Sequence, residues 1–451
     1  MGKYHFIAIG GIGMSGLAKY LLEDGHSVTG SDIQDSKYID ALRKLGAEVN
    51  IGHHEDNLSN DVDAIIVSTA IRASNPELIK AHELGLKIYH RSDLLKEIAE
   101  SAQADGKCFI GFAGTHGKTT TSGMSAYVLD KANLEPAFVV GGIVPEISTN
   151  AQHKEGKFFT AELDESDGTL VKYHPDILVI NNLEEDHLDF YKNGMDDIIK
   201  VFNQAIAQSK KVLINTDDKG CKLLSGNFIT FGLNEANYTA KNIKTSSEGT
   251  VFDFYKENEK LAKIKIELTG KHNIYNTLAV ASALMEAGVG VNEIKDYFAP
   301  FTGMGRRFQH ACSLENNIQV YDDYAHHPTE IKAVLEAAST KFGKENLVAV
   351  FQPHRYTRLK GLWNEFKEAF TDAERIIVTD VYEASEDPIE GITGENFAKE
   401  INAEHYSGSI KSVAQQLLPT LKEGNIVVGL GAGTITALGK YLKENSLANR
   451  M

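Results

Sequence analysis

The sequence CFIGFAGTHGKTTT, residues 108–121, contains an apolar run, a glycine-containing turn and a Lys-Thr pair. The apolar run predicts a buried strand, and residues 119–130 predict a helix. A strand that enters a helix through such a loop is typical of a phosphate site, because backbone N–H groups and the positive helix end face an anion. Lys118 can reach the outer phosphates, and the Thr119 hydroxyl can ligate Mg²⁺. We therefore predict an ATP site at Gly114, Thr115, His116, Gly117, Lys118, Thr119 and Thr120.

This loop departs from the general phosphate-loop pattern at one position. The pattern G-x-x-x-x-G-K places a glycine at position 112, where this chain has Phe112. The tighter spacing from Gly114 to Thr119 is the variant used by a narrower set of ATP-dependent enzymes. The alternative is an ordinary strand-to-helix turn that happens to contain Gly-Lys-Thr, but the flanking strand and helix favour the ATP site.

Length and composition set the protein class. A chain of 451 residues is expected to hold about three domains. With 42% hydrophobic and 24% charged residues it is an ordinary globular protein. The formal net charge of −16 argues against a non-specific nucleic-acid partner, which needs a basic face.

Cysteine usage and hydropathy point to one compartment. The three cysteines are far apart and odd in number, which fits a reducing environment and no disulfide framework. The chain enters a predicted strand almost at once, without a leader pattern, and no apolar run approaches the ~18 residues that span a bilayer. We expect a cytoplasmic protein that does not insert into membranes.

Residues 1–104 predict a Rossmann-like substrate domain. Strands are predicted at 4–9, 27–30, 48–51, 64–68 and 87–89, with a helix at 17–24. Gly11, Gly13 and Gly16 satisfy G-x-G-x-x-G, and an acidic residue, Asp32, follows the next strand, where a dinucleotide fold binds a ribose. A UDP-sugar presents the same diphosphate and ribose as NAD, and the domain is short for a full dinucleotide fold. We therefore favour a UDP-type ligand and predict contacts at Gly11, Ile12, Gly13, Ser15, Asp32, Ser68 and Thr69, although a capped turn explains Ser68 and Thr69 equally well.

Residues 105–302 predict a central domain of the P-loop ATPase type, after a small polar linker at 101–106. Strands are predicted at 158–163 and 177–181. Because the carboxyl ends of parallel strands share one edge, Glu162 and His187 could converge with Lys118 and Thr119. Thr119 and Glu162 would supply oxygen ligands to Mg²⁺, and His187 could hold a second metal or orient a reacting carboxylate. Without the ATP loop, a solvated acid and a packing histidine would be the better interpretations of Glu162 and His187.

Two smaller groups of polar residues complete this domain. Asp164, Glu165 and Asp167 are expected to be solvated or to support the metal ligands indirectly. A helix is predicted at 277–287, and His272 and Asn276, four residues apart, share a helix face that suits an adenine edge. For Asn273, helix N-capping is an equally good explanation.

Residues 303–451 predict a third, Rossmann-like α/β domain. Four apolar strands, at 318–321, 347–351, 375–378 and 426–430, alternate with helices such as 329–338 and 362–370. Two strands end in DDYAHHP (322–328) and QPHRYTR (352–358), whose arginines and histidines suggest a carboxylate or phosphate pocket. The glycine-rich turn after the last strand is at least as well explained by tight packing.

Together these motifs resemble the Mur ligase family of bacterial cell-wall synthesis, over essentially the whole chain. The resemblance rests on residues 10–18, 114–121, 161–167, 185–187, 270–273, 305–308, 322–330 and 351–358. The sequences of 322–328 and 351–356 resemble the alanine-adding branch of that family. Ala325 stands where this branch usually has glycine, and the carbamylated lysine of the family's later enzymes has no clear counterpart here.

The resemblance implies an α/β protein of three domains and an ATP-dependent ligation of L-alanine to UDP-N-acetylmuramate. It implies that Lys118 and Thr119 hold the γ-phosphate and Mg²⁺ (Mn²⁺ is an alternative), and that Glu162 and His187 ligate metal. Asn276, Arg307 and Asp323 would hold the nucleotide, and His326, Arg355 and Arg358 would face the amino acid and the substrate carboxylate. We expect His187, His326 or His327 to accept the amine proton, in a monomer or weak homodimer.

Three alternatives remain at this stage. A recycling ligase would join a preformed peptide to the same sugar nucleotide, and would need more room near His326 and residues 355–358. An NAD-dependent oxidoreductase would rest on Gly11, Gly13 and Gly16, but leaves Lys118 and Glu162 without a purpose. A nucleotide-binding regulator would bind ATP without releasing phosphate.

Overall fold

A computed structural model describes residues 1–188, 190–246, 248–384 and 386–448. The chain forms three β-sheets in succession, each covered by helices. In the described residues no helix has the length and apolar character needed to cross a lipid bilayer. The predicted domain boundaries after residues 104 and 302 fall between the sheets, and we keep these boundaries as a proposal.

The first sheet is fully parallel, in the order β3-β2-β1-β4-β5. Its strands are β1 (Lys3–Ile7), β2 (Ser27–Asp32), β3 (Glu48–Ile51), β4 (Ala64–Val67) and β5 (Ile88–His90), and its helices are α1 (Ile12–Glu23), α2 (Lys37–Lys44), α3 (Pro76–Glu83) and α4 (Arg91–Ala104). The strand order reverses between β1 and β4, which is where ligands bind in open parallel sheets. The predicted Rossmann-like domain is confirmed, and its glycine-rich turn and Ser68 follow the two strands at this point.

The second sheet has ten strands, in the order β15-β14-β13-β12-β11-β10-β6-β9-β7-β8. They are β6 (Cys108–Ala113), β7 (Ala137–Val144), β8 (Thr149–Gln152), β9 (Phe158–Glu162), β10 (Ile177–Ile180), β11 (Lys211–Asn215), β12 (Ile229–Gly232), β13 (Tyr238–Ser246), β14 (Gly249–Lys256) and β15 (Glu259–Ile266). Its helices are α5 (Lys118–Lys131), α6 (Met195–Ala207), α7 (Lys271–Glu286) and α8 (Val291–Ile294). Strand β6 lies between β9 and β10, so the order also reverses at the phosphate loop.

The third sheet has the order β16-β17-β21-β18-β19-β20, and only β16 is antiparallel to its neighbour. Its strands are β16 (Gln309–Ser313), β17 (Gln319–Asp323), β18 (Leu347–Phe351), β19 (Arg375–Thr379), β20 (Glu404–Tyr406) and β21 (Ile426–Leu430). Its helices are α9 (Pro328–Phe342), α10 (Tyr356–Gly361), α11 (Trp363–Lys367), α12 (Gly394–Glu400), α13 (Ile410–Leu417) and α14 (Leu438–Ala448).

The structure corrects several local predictions. Helix α4 continues to Ala104, so the predicted linker at 101–106 is reduced to Asp105 and Gly106. Helix α1 begins at Ile12 and α7 at Lys271, both earlier than predicted. The predicted helix at 362–370 is the shorter α11 (Trp363–Lys367), and α10 (Tyr356–Gly361), which precedes it, was not predicted. Strands β16 and β20 and the antiparallel extension β13–β15 were not predicted.

Helix α5 is buried on all sides. Every residue from Thr120 to Leu129 is buried, although four of them are the serines and threonines Thr120, Thr121, Ser122 and Ser125. A hydroxyl inside a helix can donate a hydrogen bond to a backbone carbonyl of the preceding turn. Thr121 Oγ1 does so to the carbonyl of Gly117, at 2.9 Å. The helix is therefore fixed against the sheet, and it holds the phosphate loop at its N-terminus.

A fully buried carboxylate stabilises the first domain. Glu77 accepts hydrogen bonds from Ser31 Oγ at 2.6 Å and Asn57 Nδ2 at 2.8 Å, and its Oε2 lies 3.1 Å from His5 Nε2. Burial by itself would raise the pKa of Glu77, but bonds from His5, Ser31 and Asn57 lower it to about 2. The carboxylate therefore stays charged inside the core.

We expect Glu77→Gln to lower the free energy of unfolding of the first domain by about 3 kcal/mol at pH 7, because the charge-assisted bonds are lost. Since the pKa of Glu77 is lowered from 4.5 to about 2, its stabilisation is complete above the higher value and is lost as the pH falls toward the lower. Urea unfolding followed by hydrogen exchange of β1 and β2 measures the difference in free energy of unfolding between the unsubstituted protein and Glu77→Gln. This gap should narrow at acid pH. A gap independent of pH would contradict the assignment.

Candidate active site

The phosphate loop depends on two glycines. Gly114 has φ +125° and Gly117 has φ +81°, in the region that side chains rarely adopt. A Cβ on Gly114 would lie 2.8 Å from the carbonyl oxygen of Asn182, and one on Gly117 would lie 2.8 Å from Asn276 Oδ1. Phe112, which stands where the general pattern has glycine, is fully buried in the core of the sheet. The turn that the general pattern assigns to position 112 is therefore made at Gly114.

Lys118 is held at the centre of this loop. Its Nζ donates to the carbonyls of Gly114 at 2.7 Å and Thr115 at 3.2 Å, and to Glu165 Oε1 at 2.9 Å. Burial opposes the charge on Lys118, but the nearby carboxylates of Glu165 and Asp164 raise its pKa. Burial raises the pKa of Glu165 to about 7. Of the two alternatives predicted for Glu165, solvation is excluded, since only 3% of it is exposed, and indirect support of the site remains.

A cavity of about 830 Å³ opens beside Lys118, and all three domains line it. Its wall includes Ile12, Ser15, Lys19, Lys37, Tyr38, Thr115, His116, Gly117, Lys118, Thr119, Gly141, Asn150, Glu162, Asp164, Asp186, His187, Arg307, Tyr324, His326 and Glu330. Of the predicted sugar-nucleotide contacts, Ile12 and Ser15 lie on this wall, and Gly11 caps α1 beside them. Gly13, Asp32, Ser68 and Thr69 are outside the wall, and Asp32 Oδ2 instead accepts from the N–H of Gly10 at 2.8 Å.

The three predicted metal ligands, Thr119, Glu162 and His187, lie on the wall of this same cavity. Glu162 Oε2 accepts from the N–H of Gly141 at 3.0 Å, which fixes one carboxylate oxygen and directs the group. Burial lowers the pKa of His187, which keeps its ring neutral as a ligand must be. A hydroxyl, a carboxylate and a neutral imidazole fit a hard divalent cation with further oxygen ligands from a phosphate.

We expect Gly141→Ala to reduce turnover by about 10- to 100-fold, because it acts on the support of a metal ligand. A Cβ at Gly141 would lie 2.2 Å from Glu162 Oε2, so the carboxylate would have to move. Turnover measured over a range of Mg²⁺ concentrations should show a raised metal requirement. Gly305→Ala is the matched control, since Gly305 lines the same cavity and its Cβ would meet nothing nearer than the carbonyl oxygen of Ile143 at 3.6 Å. Equal activity of the two variants would contradict this prediction.

A second cavity of about 740 Å³ lies on the other side of the loop. Asn276, Arg307 and Asp323, predicted to hold the nucleotide, all line it, as do Thr120 and His272. The rings of Phe308 and Tyr321 stack at 4.5 Å on its wall. The loop residues His116 and Gly117 line both cavities, as do Arg307 and Glu330, so the two cavities meet at the phosphate loop.

Two polar residues at this second cavity are held by local bonds. Asn276 Nδ2 donates to Asn273 Oδ1 at 3.1 Å, and Asn273 lies inside α7 while Gly270 caps it, so the N-cap interpretation of Asn273 was wrong. Asp323 accepts from the N–H groups of Phe308 at 2.6 Å and Ala325 at 2.7 Å. Burial raises the pKa of Asp323 to about 6.

The predicted histidines separate into two groups. His326 lies on the wall of the first cavity, and its Nδ1 donates to the carbonyl of Tyr324 at 3.0 Å. Its Nε2 is therefore unprotonated, and burial lowers the pKa of His326 to about 3. His187 shares that cavity, whereas His327 does not line it and contacts the ring of His116 at 4.7 Å between centroids.

Arg355 and Arg358, the two arginines predicted to face the amino acid and the substrate carboxylate, are not part of the first cavity's wall. Arg358 donates from Nε and from Nη2 to Asp186 Oδ1, each at 3.2 Å, and so joins α10 to the central domain. Burial opposes the charge on Asp186, but Arg358 holds the pKa of that carboxyl well below its usual range. Arg355 lies in a small cleft beside His187, with its Nη1 4.0 Å from Glu386.

Sequence reasoning missed several residues that assemble the site. Glu330 Oε1 lies 3.1 Å from His116 Nδ1, and Glu330 Oε2 accepts from the N–H of His326 at 3.1 Å, so one buried carboxylate connects two domains. The capping-box spacing from His327 to Glu330 was the available signal for it. The other missed residues are Lys19, Lys37, Tyr38, Gly141 and Asn150 on the wall of the first cavity, Glu184 on that of the second, and Arg91, whose Nη2 lies 2.6 Å from Asp164.

Comparison with known proteins matches the whole architecture. Three family models match in order: "Mur ligase family, catalytic domain" at residues 3–103, "Mur ligase middle domain" at 112–284 and "Mur ligase, glutamate ligase domain" at 306–433. The UDP-N-acetylmuramate–L-alanine ligase of Trichlorobacter lovleyi is 39% identical, over 98% of each chain.

Solved structures give the same result. A UDP-N-acetylmuramate–alanine ligase from Thermotoga maritima superposes with a TM-score of 0.84 and 29% identity over 100% of both chains. A murein peptide ligase from Psychrobacter arcticus has a TM-score of 0.75 and 22% identity, over 100% of this chain and 99% of its own, which shows a shared fold. From the three matching domains and the full-length relatives, we conclude that this chain belongs to the Mur ligase family.

Proposed function

We propose that this protein joins L-alanine to the lactyl carboxylate of UDP-N-acetylmuramate, with ATP converted to ADP and phosphate, as a step of peptidoglycan precursor synthesis. The observation that carries the proposal is the meeting of two cavities at His116 and Gly117 of the phosphate loop, next to Lys118. One cavity is lined by the nucleotide-type residues Asn276 and Asp323, and the other extends to the glycine-rich turn of the first domain. The high identity to alanine ligases over the full chain supports the same assignment.

The geometry suits activation of a carboxylate. A carboxylate is a poor electrophile, so the γ-phosphoryl group is first moved onto it, which breaks the bond to ADP and forms an acyl phosphate. In our assignment the loop and Lys118 orient the phosphates and offset the negative charge that develops on them. Thr119, Glu162 and His187 would hold Mg²⁺, or Mn²⁺ in its place, which would neutralise part of the phosphate charge.

The second step needs a base and a dry site. The amine of L-alanine attacks the acyl carbon, a tetrahedral intermediate forms, and phosphate leaves. His326 is our candidate for the proton acceptor, because its Nε2 is unprotonated and its side chain lines the first cavity, where the negative charge of bound substrates would raise its pKa from the low value of the free site. Contacts of Glu330 and Arg358 with the central domain close the third domain over the site, which excludes water from the acyl phosphate.

Phosphate release from Mg²⁺-ATP tests the proposal, with UDP-N-acetylmuramate present and each amino acid added singly. We expect release that depends on both the sugar nucleotide and L-alanine. Release that requires a peptide instead would assign the recycling reaction. Tight ATP binding without any release would contradict a ligase, and a change in nicotinamide absorbance with added NAD would support the oxidoreductase. We further propose a cytoplasmic monomer or weak homodimer, since both nucleotide substrates are intracellular metabolites.

A further inference from the structure

Three side chains from two domains converge behind the phosphate loop, outside the predicted magnesium site. They are His116 of the loop, Glu184 after β10 and His327 before α9, and one ligand atom from each lies within 4.8 Å of the other two. Glu184 Oε2 lies 3.4 Å from His116 Nε2 and 3.7 Å from His327 Nδ1. We propose that these residues form a second cation site, which binds a borderline-soft divalent ion such as Zn²⁺.

The separations suit a small tetrahedral ion. With metal–ligand bonds of about 2.0–2.1 Å, the edges of a tetrahedron measure about 3.4 Å. Two of the three separations are already close to that length, so only His116 and His327 would need to approach each other. Two imidazoles and one carboxylate are a donor set typical of zinc, whereas the predicted magnesium site has a single imidazole and otherwise oxygen ligands.

The residues behind these ligands are placed as supports of a metal site usually are. The second ring nitrogen of His116, Nδ1, lies 3.1 Å from Glu330 Oε1, which leaves Nε2 to face Glu184. Such a carboxylate orients a ligating histidine and raises its basicity. Thr329 Oγ1 donates to Glu184 Oε2 at 2.6 Å, which fixes the third ligand.

His327 would be a ligand through Nδ1. Only 4% of this residue is exposed, and its Nδ1 lies 3.7 Å from Glu184 Oε2 and accepts from the N–H of Thr329 at 3.4 Å. That hydrogen bond is longer than an ordinary N–H donor makes, so a cation beside Glu184 would be a stronger partner for the Nδ1 lone pair. The ring also contacts the ring of His116 at 4.7 Å between centroids, so all three proposed ligands lie side by side.

The proposed cation site lies between the central and the third domain. His116 and Glu184 belong to the central domain and His327 to the third, so a bound ion would join the two domains in the closed arrangement. Because the domains have to separate to release products, Zn²⁺ would hold the protein closed and stabilise it against heat. This inference concerns metal binding by the free protein and does not depend on the ligase reaction.

The test is titration of the full chain, freed of metal by a chelator, with Zn²⁺ in the presence of excess Mg²⁺. We expect one tight Zn²⁺ site by calorimetry, at least about 100-fold weaker in His327→Gln and Glu184→Gln, since loss of even a supporting residue costs 10- to 100-fold. Thr329→Val, which removes only a support, should weaken binding by about 10-fold. The matched control is His405→Gln, whose ring pairs with Asp380 in the third domain away from the site.

Anomalous diffraction at the zinc edge locates the ion directly. A peak between His116, Glu184 and His327 is the expected result. A peak between Glu162 and His187, with Zn²⁺ affinity lost in His187→Gln and kept in Glu184→Gln, would overturn the proposal and place zinc in the predicted magnesium site. Affinity unchanged in both His327→Gln and Glu184→Gln would equally overturn it, and would leave the three residues as an interdomain ion-pair cluster.

Discussion

Replacement of Lys118 by alanine is expected to lower the rate of phosphate release by at least about 10³-fold, because loss of one preorganised donor to a developing charge already costs 10²- to 10³-fold. Lys118 also pairs with the buried Glu165, because its Nζ donates to Glu165 Oε1 at 2.9 Å. Binding of UDP-N-acetylmuramate, measured by calorimetry, should survive within a few-fold, because the predicted sugar-nucleotide contacts lie in the first domain.

A second variant separates lost catalysis from lost folding. In Lys118→Ala the buried Glu165 carboxyl loses its cation, so it has to take up a proton or remain charged without a partner, and both outcomes destabilise the loop. Adding Glu165→Gln replaces it with a group that carries no charge, so Lys118→Ala/Glu165→Gln should recover thermal stability while remaining inactive. Lys131→Ala, at the other end of α5, should keep a near-normal rate. A double variant that regains activity would show that Lys118 serves the fold and not the phosphoryl transfer.

The elements around the active site could be predicted because their signals are local. Strand β6, the glycine turn and α5 follow one another within a single motif, and the register of the parallel strands places the end of β9 beside that of β6. Polarity is a weaker signal. The segment 101–104 is polar enough to be taken for a linker, yet Ala102 is buried and the helix continues to Ala104, after which Gly106 turns the chain with φ +82°.

In the candidate site, the contacts within one sheet could be predicted from the sequence, and the contacts between domains could not. Thr119, Glu162 and His187 reach one cavity because the strand-edge rule applies within one sheet. The contact of His116 with Glu330 joins residues 214 positions apart, and that of Arg358 with Asp186 joins residues 172 apart. Both depend on how the third domain lies against the second, which no local pattern encodes. An arginine that follows a strand was therefore assigned to a ligand carboxylate, whereas the structure pairs it with a protein carboxylate.

This pairing makes Arg358 a test of domain closure. The side chains of Arg358 and Asp186 are only 7% and 9% exposed, so the pair is buried between the two domains. Removal of one member of a buried ion pair costs about 3–5 kcal/mol, since the other charge is left without a partner. We expect Arg358→Met to lose about this much stability in the docking of the third domain, and the turnover rate to fall by about 100-fold or more.

The measurement is turnover together with small-angle scattering, which reports how far the third domain separates from the second. If the loss comes from the unpaired Asp186, Arg358→Met/Asp186→Asn should be more compact and more stable than Arg358→Met, since removal of both charges is far less costly than removal of one. Arg375→Met is the matched control, because Arg375 pairs with Glu404 at the surface of the third domain, where an ion pair contributes at most about 1 kcal/mol. If Arg358→Met instead remained compact and only its Michaelis constant for L-alanine rose, Arg358 would contact the amino acid, as the family resemblance implies, and the ion pair would have to open during turnover.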